Sequence, residues 1–158
     1  MLTNHAYWNL DGFDNDETNL LLDHTMHAPF SKQRIGVDSI LIPTGEVLEN
    51  EEGSVNDFWS EPKQVGASFE DPDMEGNCGI GCVGYDNCYT IDREQQDIDS
   101  WRESGYVFSL ASEWSGIRFD VYTDQDAVQV YSCNFQDGGV PLKKTQVNSG
   151  LKLESGKW

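Results

Sequence analysis

Apolar and polar residues alternate with period two in parts of this chain, and the 3.6-residue repeat of an amphipathic helix is nearly absent. The alternation is clearest between Tyr106 and Phe135. There Ile117, Phe119 and Val121 fall on one face and Arg118, Asp120 and Tyr122 on the other, with turns at Glu113-Trp114-Ser115-Gly116 and Asp124-Gln125-Asp126. This pattern predicts an antiparallel meander of three strands, the last with Val128 and Val130 to one side and Gln129 and Tyr131 to the other. Leu20–Ala28 predicts a further strand, apolar at its start and alternating at its end, which leaves His24 and His27 at solvated positions. A polar loop, Asp11 to Asp16, precedes it and Pro29 closes it. From Asp38 to Leu48 the chain predicts a short apolar strand interrupted by Pro43-Thr44-Gly45, followed by a long acidic connection to about Gly79. The fold class predicted is all-β.

Length and charge narrow the picture. At 158 residues the chain is read as a single domain, 1–158, although a hydrophobic share of 37% does not guarantee a self-sufficient core. Ten Lys and Arg against 28 Asp and Glu give a net charge of −18, a field that repels phosphate backbones and anionic bilayers. Neither a nucleic acid nor a membrane is therefore expected as a partner. A neutral ligand is indifferent to that field. The runs Glu49-Asn50-Glu51-Glu52 and Glu70-Asp71-Pro72-Asp73 are expected as solvated loops. Cys78-x3-Cys82 with Cys88 has a spacing at which thiolates can share a zinc ion, but glycines suited to a turn surround it and no histidine accompanies it. Reduced structural thiols are the expectation, and no metal is assigned. The absence of a cationic and apolar leader favours a cytoplasmic location, with secretion left open if the natural chain starts further upstream.

The most chemically suggestive stretch is Leu2-Thr3-Asn4-His5-Ala6-Tyr7-Trp8-Asn9-Leu10. Histidine exchanges a proton near neutrality, asparagines bond hydroxyl groups, and flat rings stack on a sugar face. A histidine satisfied by backbone on the first strand of a β-protein is the plain alternative. Thr3 to Leu10 resembles the Thr-Asn-His-x-Tyr-Phe-Asn-Leu motif of the aldose 1-epimerases, or galactose mutarotases. In the same order, Leu41-Ile42-Pro43-Thr44-Gly45-Glu46 resembles the family's Leu-Ile-Pro-Thr-Gly-Glu segment, and Gly84-Tyr85-Asp86-Asn87-Cys88-Tyr89 its Gly-Tyr-Asp-His-Asn-Phe segment. Ser115-Gly116 and Val128-Gln129-Val130-Tyr131 are similar to its Ser-Gly-Arg and Val-Gln-Phe-Tyr elements. The resemblance runs from about residue 2 to residue 146, leaves 147–158 as a tail, and in its spelling is closer to fungal members.

The resemblance implies an antiparallel β-sandwich of the galactose mutarotase-like supersandwich type, of which this chain would hold the C-terminal half. It implies interconversion of the α and β anomers of free hexoses such as glucose or galactose: one group takes the proton of the anomeric hydroxyl, another protonates the ring oxygen, and no cofactor is required. His5 falls on the family's general acid, Asp86 and Gln129 on residues that hold sugar hydroxyls, and Asn4 beside them is a further substrate contact. Glu154, in Ser149-Gly150-Leu151-Lys152-Leu153-Glu154-Ser155, falls on the family's general base, although Lys152 replaces a small residue of that motif. In the family an Asn-Arg pair and a second histidine precede the Thr-Asn-His motif, so part of the sugar pocket is expected outside this chain. Two consequences are expected: unpaired strand edges that favour self-association, and, as the alternative to turnover, a sugar-binding remnant without catalysis. A β-sandwich interaction domain unrelated to sugars is the reading from a third class.

Overall fold

The computed structural model describes residues 3–12, 15, 20–92 and 105–135, and all statements of structure concern these. Eight strands are formed: β1 (Thr25–His27), β2 (Gln33–Val37), β3 (Pro43–Glu49), β4 (Lys63–Gln64), β5 (Asp86–Thr90), β6 (Tyr106–Ala111), β7 (Arg118–Tyr122) and β8 (Ala127–Tyr131). They build two four-stranded sheets, ordered β4-β1-β6-β7 and β3-β2-β5-β8, with antiparallel pairing throughout. One core serves both: Met26 and Leu110 from the first sheet and Tyr89 from the second join Leu10, Phe58, Val65, Met74 and Tyr85. Phe58 meets Tyr85 and Tyr89 edge-on, with ring centroids 5.2 and 6.4 Å apart.

Where the expected elements differ from those formed, tertiary bonding explains the difference. The three-stranded meander is a hairpin, β6–β7, followed by a strand that crosses to the other sheet and pairs with β5. Alternation fixes which face a residue takes but does not choose its neighbour. Leu20–Ala28 begins as a 3-10 turn over Leu21–Asp23, and only Thr25–His27 is strand. Pro43-Thr44-Gly45 does not interrupt a strand but opens β3, where a proline at the first position costs no ladder bond. The acidic connection is not merely solvent-facing: it supplies β4 and the buried Val55, Phe58, Val65 and Met74. Asn50, within an expected solvated run, is 2% exposed, donating to the Ser31 carbonyl at 2.9 Å and accepting from Arg34 at 2.7 Å.

The expectation of solvated histidines also fails. His27 is half-buried and bonded to the Trp59 backbone, and His24 is wholly buried. The Leu10 amide donates to His24 Nε2 at 3.0 Å, so the neutral ring carries its proton on Nδ1, which has no hydrogen-bond partner among the described residues. Asp11 lies 3.9 Å from the same Nε2 and accepts from the Ser112 hydroxyl and from Asn15 Nδ2. Burial lowers the His24 pKa, with Asp11 and Asp23 acting the other way.

Cys78 and Cys82 form a disulfide across a Cα separation of 5.4 Å, while Cys88 and Cys133 are free thiols. The expectation of four reduced thiols is corrected accordingly. No described helix is long and apolar enough to cross a membrane.

Because the folded pKa of His24 lies below the ordinary 6.5, its contribution to stability is complete above 6.5 and is lost as the pH falls through and below that value. Urea unfolding should show stability declining from pH 7.5 to 5.5, and His24→Gln, which keeps an acceptor for the Leu10 amide, should flatten that decline. His24→Ala should cost about 2 kcal/mol by stranding the buried amide.

Candidate active site

Strands β7 and β8 are consecutive in sequence and each is the edge of its own sheet. Between them opens a cleft of about 790 Å³, lined by both strands and by the segment Thr3–Trp8. That segment forms no strand and is exposed along its length, and it is anchored at its Leu10 end and by its rings. Trp8 stacks on Phe119 of β7 at 4.3 Å. The Leu10 amide is held by His24, and the Asp11 and Gly12 amides return to the Asn9 side chain and carbonyl at 3.0 and 3.1 Å.

Asn4, His5, Asp86 and Gln129 all line this one cleft. In the β5–β8 ladder Asp86 opposes Tyr131 and Cys88 opposes Gln129, which sets Asp86 and Gln129 diagonally on the same face. Gln129 Nε2 donates to Asp86 Oδ1 at 2.8 Å. This leaves the Gln129 carbonyl as an acceptor and the second carboxylate oxygen of Asp86 for a ligand hydroxyl. Burial raises the Asp86 pKa, against the Gln129 hydrogen bond, which favours the charged form. The ring of His5 lies 5.2 Å from that of Tyr7, at 41°. Glu154 lies outside the described residues.

Tyr7, one of the rings that the sequence marked, lines the cleft, and partial desolvation there together with the nearby Cys133, Tyr131 and Asp86 raises its pKa although the residue is 43% exposed overall. Other lining residues were missed by sequence reasoning. Asp120, Tyr122 and Tyr131 line the cleft as well. The outward alternation of β7 and β8 marked these positions, but nothing in the sequence said that the two edges face one cleft. Cys133 is wholly buried with its thiol pushed up to about 12 by desolvation, which makes it inert packing rather than a nucleophile.

The strand that carries Asp86 is set by Gly84. Its φ of +140° is a conformation that side chains avoid, and a Cβ there would lie 2.8 Å from Ser132 Oγ and closer still to Asn134. Ser132 and Asn134 need that space. The Tyr85 amide donates to Ser132 Oγ at 2.8 Å, and Asn134 Nδ2 donates to the Tyr85 carbonyl at 2.7 Å.

Two antiparallel sheets thus bring a carboxylate–amide pair and an imidazole to one open cleft, groups whose donors and acceptors match those of hydroxyls. Comparison with known proteins supplies the family. The aldose 1-epimerase family model matches residues 1–158, and the chain belongs to that family. It is 40% identical over 154 residues to the "Probable aldose 1-epimerase" of Arthroderma benhamiae, covering 93% of this chain and 33% of that protein. It is 30% identical over 160 residues to the "Galactose mutarotase" of Mus musculus, covering 99% of this chain and 41% of that protein. The crystal structure of the GalM/aldose epimerase homologue from C. elegans superposes with a TM-score of 0.66 at 23% identity, over 98% of this chain and 38% of that one, and so shares its fold. The chain thus spans between a third and about two fifths of the length of these relatives.

Gly84→Ala should destabilise the protein by about 3 kcal/mol, from backbone strain and overpacking together. Thermal unfolding measures this. A fall of less than about 1 kcal/mol would mean that Ser132 and Asn134 give way freely.

Proposed function

We propose that this chain carries the sugar-binding and acid-donating part of an aldose 1-epimerase site for free hexoses such as glucose or galactose. The observation that carries the reading is the Asp86–Gln129 pair at 2.8 Å on the wall of the cleft that His5 and Asn4 also line. In this reading Asp86 accepts from one sugar hydroxyl while the Gln129 carbonyl accepts from another, and Asn4 adds a donor and an acceptor. His5 gives its proton to the ring oxygen as the ring opens. Glu154 takes the proton of the anomeric hydroxyl. The free aldehyde then rotates and recloses with the roles reversed. The rings of Tyr7 and Trp8 offer apolar faces to the carbon side of the pyranose.

Asp86 accepts from a hydroxyl most strongly when ionised, since protonation turns one of its oxygens into a donor and removes the charge that strengthens the bond. Burial raises its pKa above the ordinary 3.8, so affinity for the sugar should be complete at neutral pH and should fall as the medium is acidified toward that raised value.

Polarimetry of α-D-glucose and α-D-galactose with the purified chain tests the reading. Mutarotation above the buffer rate should fall by on the order of 10² or more in His5→Ala and in Glu154→Gln. Galactose binding that survives both substitutions, in a chain with no turnover, would assign it instead as a sugar-binding remnant. Absence of both binding and turnover in a folded sample would contradict the proposal.

The β3 edge supports a second expectation. All seven residues of this edge strand are exposed, Val47 at 53%. We expect the isolated chain to self-associate through such edges. Sedimentation velocity should show association with rising concentration, and a monodisperse monomer throughout would overturn this.

A further inference from the structure

Directly behind Asp86, on the inward side of β5, lies a chain of three asparagines. Asn87 is 5% exposed, and its Oδ1 accepts from the Asp86 amide at 3.1 Å and from Asn77 Nδ2 at 3.2 Å. Its Nδ2 donates to the Asn77 carbonyl at 3.2 Å. Asn77 Nδ2 also donates to the Gly84 carbonyl at 2.9 Å. Asn77 Oδ1 accepts from Asn56 Nδ2 at 2.9 Å, and Asn56 Oδ1 accepts from the Tyr89 hydroxyl at 2.8 Å.

The amide of Asn77 therefore holds the chain where it enters β5, on both sides of the Tyr85-Asp86 pair, at the Gly84 carbonyl and at the Asn87 side chain, and is itself fixed through Asn56 to the core tyrosine Tyr89. A side chain whose donors and acceptor are all engaged has one orientation. Its own loop is rigid as well. The Cys78–Cys82 disulfide closes it, the Gly76 amide donates to the Cys82 carbonyl at 2.9 Å, and Glu75 bridges Val83. None of these residues lines the cleft.

We infer that Asn77, held in its disulfide-closed loop, is a positioning residue for the sugar-binding carboxylate: it sets the backbone at Asp86, and through it the geometry of the Asp86–Gln129 pair. The inference rests on the proposed sugar site for its consequence, but its geometric content can be read without a sugar. The titratable groups that share the cleft with Asp86 are His5 and Tyr7 from the N-terminal segment, Asp120 and Tyr122 from β7, and Tyr131 across the ladder.

The experiment follows the Gln129 side-chain amide by ¹⁵N NMR through an acid titration, then through a titration with D-galactose, in the wild-type chain, in Asn77→Ala and in a Cys78→Ala, Cys82→Ala double variant. Loss of the grip lets water reach Asp86. The acid midpoint reported by Gln129 should then fall toward 3.8 in Asn77→Ala and shift part of the way in the double variant, with galactose affinity down about tenfold in Asn77→Ala. An unchanged midpoint in a folded Asn77→Ala, whatever its melting temperature, would overturn the inference. If Asn77→Ala does not fold, the double variant decides by the same midpoint. If the wild-type chain takes no galactose while the midpoint shifts as expected, the proposed function fails and the positioning role stands.

Discussion

The antiparallel ladder between β5 and β8 is the constraint on which the rest of the site depends. It joins residues 43 positions apart, and its register decides that Asp86 and Gln129 emerge on one face while Tyr89 and Val130 turn into the core. A slip of one residue would exchange the two sets, burying a carboxylate and exposing apolar side chains, and burial of Tyr89 at 2% exposure opposes that slip. Site and core are therefore specified by the same pairing. The close packing at Gly84, Ser132 and Asn134 locks the end of the ladder where Asp86 begins.

The segment that carries His5 is held differently. His5 belongs to no sheet, and its neighbourhood is fixed by a buried polar anchor at Leu10 and Asp11 and by the stacking of Trp8 on Phe119. One side of the site is thus fixed by cross-strand pairing, and the other is a segment outside the sheets, anchored at Leu10 and Asp11 and by the Trp8 ring. Such a segment has less local stability than a core strand and more freedom to adjust to a ligand. The acidic surface adds little to this, because a neutral sugar gains nothing from a long-range field.

Much of this was legible in the sequence, and what was not has a physical reason. The all-β class, the faces of β7 and β8 and the family motifs all follow from short-range pattern: alternation and residue type report on faces and on chemistry. Pairing partners do not. The third strand of the supposed meander joined β5 because a long-range ladder was available there, a choice that period-two alternation cannot express. His24 was read as solvated because its neighbours are polar, whereas its burial follows from an amide 14 residues upstream that needs an acceptor. Asn50, Asn56 and Asn77 look like loop residues for the same reason. Each is engaged in bonds that bridge segments distant in sequence, and composition alone marks asparagine for turns. The disulfide was missed because the glycines around Cys78 and Cys82 were read only as a turn, although a pair four residues apart in such a turn can close a loop of its own.

The most direct test of the central claim, that Asp86, Gln129 and the His5 segment form one sugar site, is a chemical-shift titration of the isotopically labelled chain with D-galactose at neutral pH. The account predicts that the Gln129 side-chain amide and the His5 ring resonances move together with a single dissociation constant, and that Asp86→Asn weakens both in step. Shifts confined to other residues, or two constants that respond separately to Asp86→Asn, would contradict it.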